Sequence, residues 1–244
     1  MRVGNRDWMG AVSAVVLVCL PLGAQQTGTE QQIFAELVDH NRLRNNALLA
    51  YSASRTYRVT HPDGKVHAAI EVRMEFHAPD RKNFSVTSEQ GSGMVRRLAL
   101  NPLIAAEIKA AGGKDQRDSA ITPANYKLDL LGEDVVRGHR CYLLYARPTR
   151  ADKYLFEGRV WIDRDDYAVV RIEGRPAANL SFWIKRAEFV REYEKVDGFW
   201  LPLRDETQVE VRLYGKNILT IEHRDYSVTG AVRSSAGAEV PQLR

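Results

Sequence analysis

The clearest structural signal in the sequence is VHAAIEVRMEFH at residues 66–77. Its apolar side chains stand at every second position from Val66 to Phe76, and histidine, glutamate and arginine fill most of the positions between them. Because successive side chains of a β-strand point to opposite faces, this period of two predicts a long strand with one dry face and one wet face. The turn residues His61-Pro62-Asp63-Gly64 join it to a preceding strand at Tyr51–Thr60.

Further strands are predicted along most of the chain. Lys82–Ser88 is the next, and Met94–Leu100 also has an extended pattern. From residue 126 the pattern is β almost to the end, with strands at Cys141–Arg147, Gly158–Asp163, Tyr167–Glu173, Phe182–Glu194, Glu206–Tyr214 and Ile218–Val228. Short polar turns separate these segments, and consecutive hairpins imply an antiparallel sheet.

Two helices are predicted early in the chain. Apolar residues recur at helical spacing over residues 30–48, with Thr29 as the capping residue, after a polar and mobile segment at Gln25–Glu30. Asn101-Pro102 begins a shorter helix that ends before Gly112. A sheet of about ten long strands must curl, and its inner face needs cover. We therefore expect an α+β fold: a large curved antiparallel β-sheet, or half-open barrel, with helices covering its concave face.

The sequence predicts a signal peptide at the start of the chain and a disordered tail at its end. Residues 1–24 have the pattern of a secretory signal peptide, with a basic start and an apolar core at Ala11–Leu20, and we expect cleavage after Ala24 and a periplasmic location. An uncleaved anchor is the alternative, although the apolar core is shorter than the roughly 20 residues of a membrane span. A single domain then occupies residues 25–228, and the small and polar residues 229–244 are predicted to form a disordered tail.

Composition excludes several classes of protein. Only two cysteines are present, Cys19 in the signal segment and Cys141 in a strand, so one mature chain has neither a disulfide framework nor a cysteine-based zinc site. We expect Cys141 to be a buried, inert thiol. A net charge of +4 over 244 residues, with basic side chains scattered among acids, predicts no nucleic-acid binding.

No catalytic arrangement emerges from the sequence. Gly91-Ser92-Gly93 lacks the spacing of a nucleophile elbow, and the run from Asp163 to Asp166 does not fit a calcium loop. The six histidines have no ligand spacing. We therefore predict no enzyme activity, no catalytic residue, no metal and no cofactor. A hydrolase is a remote alternative, and it would require His139, Glu188 and Asp225 to converge in one cleft.

Four segments carry a resemblance to a known family. They are GHRCYLLYARP at 138–148, RVWID at 159–163, YAVVRIE at 167–173 and DGFWLP at 197–202. Together with the order of elements, they resemble the bacterial outer-membrane lipoprotein-sorting group, that is, the LolA-like periplasmic carriers and their RseB-like relatives, over residues 30–228. The resemblance implies a curved sheet around helices, a cavity for lipid acyl chains and, in carriers, a buried arginine that helps to switch a lid.

The expected function is binding of a lipid or lipoprotein in the periplasm, as a carrier in outer-membrane lipoprotein sorting. Acyl chains would lie in the apolar hollow of the sheet, since long chains bind through nonspecific apolar area. The expected partners are these acyl chains and inner- or outer-membrane envelope proteins, and we expect a monomer. An envelope sensor or scaffold that binds a protein partner is the alternative. The candidate lining residues are Val72, Met74, Phe76, Leu144, Val160, Ile162, Val211, Leu213, Leu219 and Ile221.

Overall fold

A computed structural model of the chain describes residues 22–110 and 120–230. Helix α1 spans Leu22–Ala47, the single turn α2 spans Gly93–Val95, a π-helical turn spans Arg96–Leu100, and α3 spans Asn101–Ala110. The strands are β1 Leu48–Thr60, β2 Val66–His77, β3 Arg81–Gly91, β4 Tyr126–Val136, β5 His139–Pro148, β6 Phe156–Asp163, β7 Val169–Pro176, β8 Ile184–Val196, β9 Phe199–Val211 and β10 Gly215–Gly230.

The ten strands form one antiparallel sheet in the order β3-β2-β1-β10-β9-β8-β7-β6-β5-β4. Every pairing except β1 with β10 joins consecutive strands. Strands β3 and β4 form the two free edges, so the sheet is open. This architecture confirms the predicted α+β class with a large open antiparallel sheet and a few helices.

The β1–β2 hairpin shows how the local sequence produces this topology. Thr60 pairs with Val66 across the predicted turn, and the Gly64 amide donates a hydrogen bond of 2.9 Å to the His61 carbonyl oxygen. Gly64 has a φ of +92°, a left-handed conformation that glycine adopts without steric cost. On β2, Ala68, Ile70, Val72 and Met74 are buried, as the period of two predicts.

A separate, smaller apolar cluster lies on the convex face of β5 to β7. Cys141, Trp161 and Val170 are buried there. The Trp161 Nε1 atom donates to Asp134 Oδ2 at 2.8 Å, and the Trp200 Nε1 atom, on the rim of the cluster, donates to Asp166 Oδ2 at 2.9 Å. These bonds satisfy the only polar atom of each indole ring. Strands β5 to β7 therefore have buried apolar side chains on both faces.

Two helical predictions are wrong. Helix α1 begins at Leu22 rather than near residue 30, so the segment Gln25–Glu30, predicted to be mobile, is helical. Its glutamine and glutamate residues are good helix formers, and no proline follows Pro21 to interrupt the helix. The segment Met94–Leu100, predicted to be extended, is helical because the Ser92 side chain caps it and Leu100 becomes fully buried.

The strands around the β9–β10 turn also differ from the prediction. Strand β9 ends at Val211 instead of Tyr214, and β8 begins at Ile184 instead of Phe182. Leu213 lies in the turn, with a φ of +71° and 90% of its surface exposed. The Arg212 amide donates to the Trp183 carbonyl oxygen at 2.8 Å, which ties the turn to the neighbouring loop.

The predicted short helix after Asn101 is confirmed as α3. The segment 1–21, the residues 111–119 that follow α3 and the predicted tail from residue 231 onward lie outside the described residues. Thr229 and Gly230, which were predicted to begin the tail, end β10. In the described ranges, no helix combines the length and hydropathy of a membrane span.

Candidate functional site

Two helices cover the concave face, each over one half of the sheet. Helix α1 packs Ile33, Phe34 and Leu37 against an apolar cluster on β4 to β7 that includes Val160 and Ile172. Leu100, at the end of the π-helical turn, and Ile104 on α3 pack against a second cluster on β1, β2 and β10, which consists of Tyr57, Val59, Ala68, Ile70, Val72 and Ile221. The two clusters share no residue, so the concave face has two separate cores, which we call the α1 core and the α3 core after the helices that pack on them.

The strip of sheet between the two cores is lined by residues of β8 and β9. Arg191 on β8 pairs with Ile172 on one side and with Asp205 on the other, and Asp205 pairs with Ile221. Directly opposed residues of neighbouring strands share a face, so this cross-strand row leads from one core to the other. It is apolar at both ends and charged in the middle. Arg191 is exposed over 53% of its side chain although it stands on the concave face.

Five charged or titratable side chains form what we call the central polar cluster: Arg55, Glu107, Arg191, Asp205 and His223. The Arg55 Nη1 atom donates to Glu107 Oε2 at 2.6 Å, and Glu107 lies on α3. The Arg191 Nε atom lies 3.1 Å from Asp205 Oδ1. His223 Nε2 lies 3.6 Å from Asp205 Oδ2, too far for a hydrogen bond. The cluster therefore links strands β1, β8, β9 and β10 to one covering helix.

Glu107 joins the sheet to α3 through its contact with Arg55. The Tyr57 hydroxyl group also donates to Glu107, at 3.1 Å from Oε1. Burial opposes the charge of Arg55, but Glu107 and the two neighbouring tyrosines outweigh it, so the pKa of Arg55 is raised. For Tyr57, burial and the Glu107 carboxylate raise the pKa, so its hydroxyl stays protonated as the donor.

The cluster also contains unsatisfied polar atoms. Neither ring nitrogen of His223 has a hydrogen-bond partner within the described part of the chain, and the same is true of Arg55 Nε. His223 is only 3% exposed, and burial lowers its pKa despite the nearby Asp205 carboxylate. Unpaired buried polar atoms are rare in native structures, so this part of the concave face has unused hydrogen-bonding capacity.

Aromatic residues continue the concave face beyond the cluster. The Tyr51 ring centroid lies 5.2 Å from that of Phe76 and 5.9 Å from that of Tyr226. Tyr193, next to Arg191 on the same face, is half-buried against the α1 core. Burial raises the pKa of Tyr51 and of Tyr226, so their hydroxyl groups are neutral at physiological pH. This surface is amphipathic, with apolar rings and few charges.

The predicted lining residues lie at different depths. Val72, Leu144, Val160, Ile162 and Met74 are fully buried, and Ile221 and Leu219 belong to the α3 core. Phe76 is half-buried and reaches the aromatic surface beside Tyr51. Val211 is half-buried at the end of β9, and Leu213 is in the exposed turn. The structure thus brings most of the predicted set to the concave face but places Leu213 outside it.

The residues of the hydrolase alternative have separate partners. His139 Nδ1 lies 3.1 Å from Asp163 Oδ2, with its ring against Trp200. Glu188 accepts two hydrogen bonds from Arg186 on its own strand, and Asp225 has a left-handed φ of +55° in β10. Among the described residues, no three His, Cys, Asp or Glu side chains group closely enough to hold a metal ion. Cys141 is buried, as predicted.

Sequence reasoning missed Arg55, Glu107, Arg191, Asp205 and His223. One signal was available: Arg55 stands between Ala53 and Tyr57 in a period-two series of buried residues on β1. A charged residue at an inward position of an otherwise apolar strand face is unusual enough to mark a site. Arg191 and Asp205 gave no comparable signal, because both faces of their strands carry polar residues.

Comparisons with known proteins give the following similarities. A family model described as "Uncharacterized protein" matches residues 114–229. No curated protein matches the sequence. Among solved structures, the chain is similar to an outer membrane lipoprotein-sorting protein domain from Vibrio parahaemolyticus, at 10% identity and a TM-score of 0.46, over 82% of this chain and 94% of that one.

The chain is also similar to two further solved structures. A LolA superfamily protein from Nitrosomonas europaea matches at 10% identity and a TM-score of 0.36, over 83% of this chain and 94% of that chain. A DUF1329 family protein from Desulfovibrio piger matches at 14% identity and a TM-score of 0.42, over 82% and 92% of the two chains. The family that the sequence resembles is thus present among the similar structures.

Proposed function

We propose that this protein binds the acyl chains of a lipid or lipoprotein on the concave face of its sheet, as a carrier in outer-membrane lipoprotein sorting. The observation that carries the proposal is the strip between the two cores, which lies outside both helix-covered clusters of the described structure and has apolar residues on both sides. An acyl chain that lies along this strip would bury area against Phe189, Tyr193 and Ile221. Each buried methylene group contributes about 0.8 kcal/mol.

In this function, the Arg55–Glu107 pair would hold α3 on the sheet as a latch. The resemblance to carriers implies a buried arginine that helps to switch a lid, and Arg55 is buried and holds α3 on the sheet. Release of this contact would free α3 and widen the strip. We therefore assign the lid role to α3 and the latch role to Arg55, Tyr57 and Glu107.

The proposed location is the periplasm, reached through a signal peptide at residues 1–24 that is cleaved after Ala24. In this function the central polar cluster has no catalytic role. We propose a carrier without enzyme activity. It needs no metal and no cofactor.

The test is native mass spectrometry of gently purified protein, with and without added phospholipid. We expect a bound lipid mass, or uptake of added lipid, and loss of both in Ile221→Glu, which places a charge in the α3 core at the edge of the strip. Glu206→Gln on the opposite face of β9 is the control and should bind as the original protein does. A hollow that is always empty and takes up no added lipid would refute the proposal.

Binding of a protein partner is the second candidate, and one observation favours it. Strand β4 is a free edge of the sheet, and Leu131 and Val135 on it are exposed. Free edges can accept an additional strand from another chain. This function predicts a stable partner in a pull-down from envelope extracts that is lost in Val135→Lys, with unchanged lipid uptake.

A further inference from the structure

We propose that the concave face selects ionised fatty acids, and that Arg191 binds their carboxylate group. This inference rests on the function proposed above and makes it more specific, because it names the headgroup of the bound lipid. It depends on four features of the structure: the position of Arg191, its free donors, the balance of charge around it and the unsatisfied atoms behind it.

The first feature is the position of Arg191. It stands in the middle of the concave face, with Ile172 beside it on β7 and Asp205 beside it on β9. The apolar cores begin within one or two strands on either side. A lipid whose headgroup lies at Arg191 can therefore extend its chain along apolar surface in either direction.

The second feature is the hydrogen-bonding capacity of Arg191. Its Nε atom faces Asp205, and its carbon Cζ lies 5.0 Å from the centroid of the Phe189 ring. Its Nη1 and Nη2 atoms donate no hydrogen bond to a described residue, and half of the side chain is exposed. A guanidinium group has five donors in a planar fork that matches the two oxygens of a carboxylate.

The third feature is the balance of charge. The charged side chains that face this region in the described structure are Arg55, Lys82 and Arg191, against Glu107 and Asp205. Arg55 is paired with Glu107 and Arg191 with Asp205, so the cation in excess is Lys82, which lies near the Arg55–Glu107 pair. An anionic headgroup restores neutrality where water is partly excluded, and a neutral headgroup does not.

The fourth feature is His223, which lies behind Asp205 and is nine-tenths or more buried. Both of its ring nitrogens lack a partner within the described ranges. A small shift of Asp205 towards His223, made as a carboxylate takes its place at Arg191, would give the imidazole a hydrogen bond. The N–H group of the His223 ring is thus a donor available to the displaced Asp205 carboxylate.

The experiment compares two ligands of equal chain length, laurate and 1-dodecanol, as competitors of the neutral fluorophore N-phenyl-1-naphthylamine. For the original protein, we expect laurate to displace the fluorophore at a concentration about tenfold lower than dodecanol, as a charge-assisted contact predicts. Acetate, which has the headgroup without the chain, should not displace it.

The decisive variant is Arg191→Met, which keeps an apolar stem and removes the fork. Laurate and dodecanol should then compete equally, when each competition is measured relative to the variant's own affinity for the fluorophore. The double variant Arg191→Met/Asp205→Asn, which leaves no unpaired acid, should behave in the same way and guards against misfolding of the single variant. Arg186→Met, on the opposite face of β8 and exposed, is the matched control and should keep the laurate preference.

The outcomes separate the two proposals. If laurate and dodecanol compete equally for the original protein, the headgroup inference is wrong and lipid binding stands. If the laurate preference survives in both Arg191 variants, the assignment to Arg191 is wrong. If neither lipid displaces the fluorophore, both proposals fail. Displacement by acetate at laurate concentrations would show a site for free carboxylates and would overturn the assignment of a lipid ligand.

Discussion

The substitution Glu107→Gln tests whether the buried ion pair holds α3 on the sheet. Arg55 is only 4% exposed and lies 2.6 Å from the Glu107 carboxylate, so the variant leaves a buried guanidinium group without its counter-charge. Removing one partner of a buried pair costs about 3–5 kcal/mol of folding free energy. Glu107 is a quarter exposed, and we therefore expect the lower end of this range, about 3 kcal/mol.

This loss is large enough to measure by thermal and urea unfolding followed by circular dichroism. For a domain of this size, about 1 kcal/mol shifts the melting temperature by roughly 2–4 °C, so the expected decrease is about 6–12 °C. The control is Glu89→Gln, which breaks the more exposed pair with Arg96 and should cost less than about 1 kcal/mol. A decrease no larger than that of the control would refute the latch.

A second variant separates the pair from the packing of α3. In Arg55→Met/Glu107→Leu both charges are replaced by apolar side chains, and such replacements of buried pairs are often neutral or stabilising. We therefore expect most of the lost stability to return. If the double variant is as unstable as Glu107→Gln, the loss comes from packing and not from an uncompensated charge.

Two further predictions concern titratable groups. Burial lowers the pKa of His223 from 6.5, so the unfolded state takes up this proton first as the pH falls, and stability should decrease from pH 7.5 to pH 5.5 by more than it does in His223→Gln. Equal pH dependence of the two unfolding curves would contradict this, since Asp205, Arg55 and Glu107 are present in both. Burial and the Asp163 carboxylate raise the pKa of Cys141 to about 11, so iodoacetamide at pH 8 should label it only after unfolding, and rapid labelling of the folded protein would show an accessible thiolate.

The fold could be predicted because short segments of sequence determine its strands and turns. The alternation in residues 66–77 specifies one strand with a dry face, and the turn at His61–Gly64 specifies how it meets the strand before it. Repeated along the chain, such signals predict that consecutive strands pair with each other. The pairing of β1 with β10 is the one strand pairing of the described sheet that they do not predict. Local signals were misleading where tertiary packing decides, as at Leu100, whose burial requires the π-helical turn.

The central polar cluster could not be predicted in the same way. Arg191 and Asp205 meet because their strands are in one register, and Tyr57 and Ile221 complete the same row from distant parts of the chain. A shift of one residue in any of these pairings would move a member of the row to the other face of the sheet. The sequence shows that these strands alternate, but the row exists only after the registers of four pairings are known.

The charged centre of the concave face has a physical consequence for the hollow. If residues 191 and 205 were apolar, the cores beneath α1 and α3 would be free to merge, since protein interiors pack to the density of crystals and leave few voids. An ion pair as exposed as this one contributes about 0–1 kcal/mol, so stability alone does not explain why Arg191 and Asp205 stand here. Burial of these two charges would cost free energy, so they oppose such a merger, as the proposed binding of a ligand with both a charged and an apolar part requires.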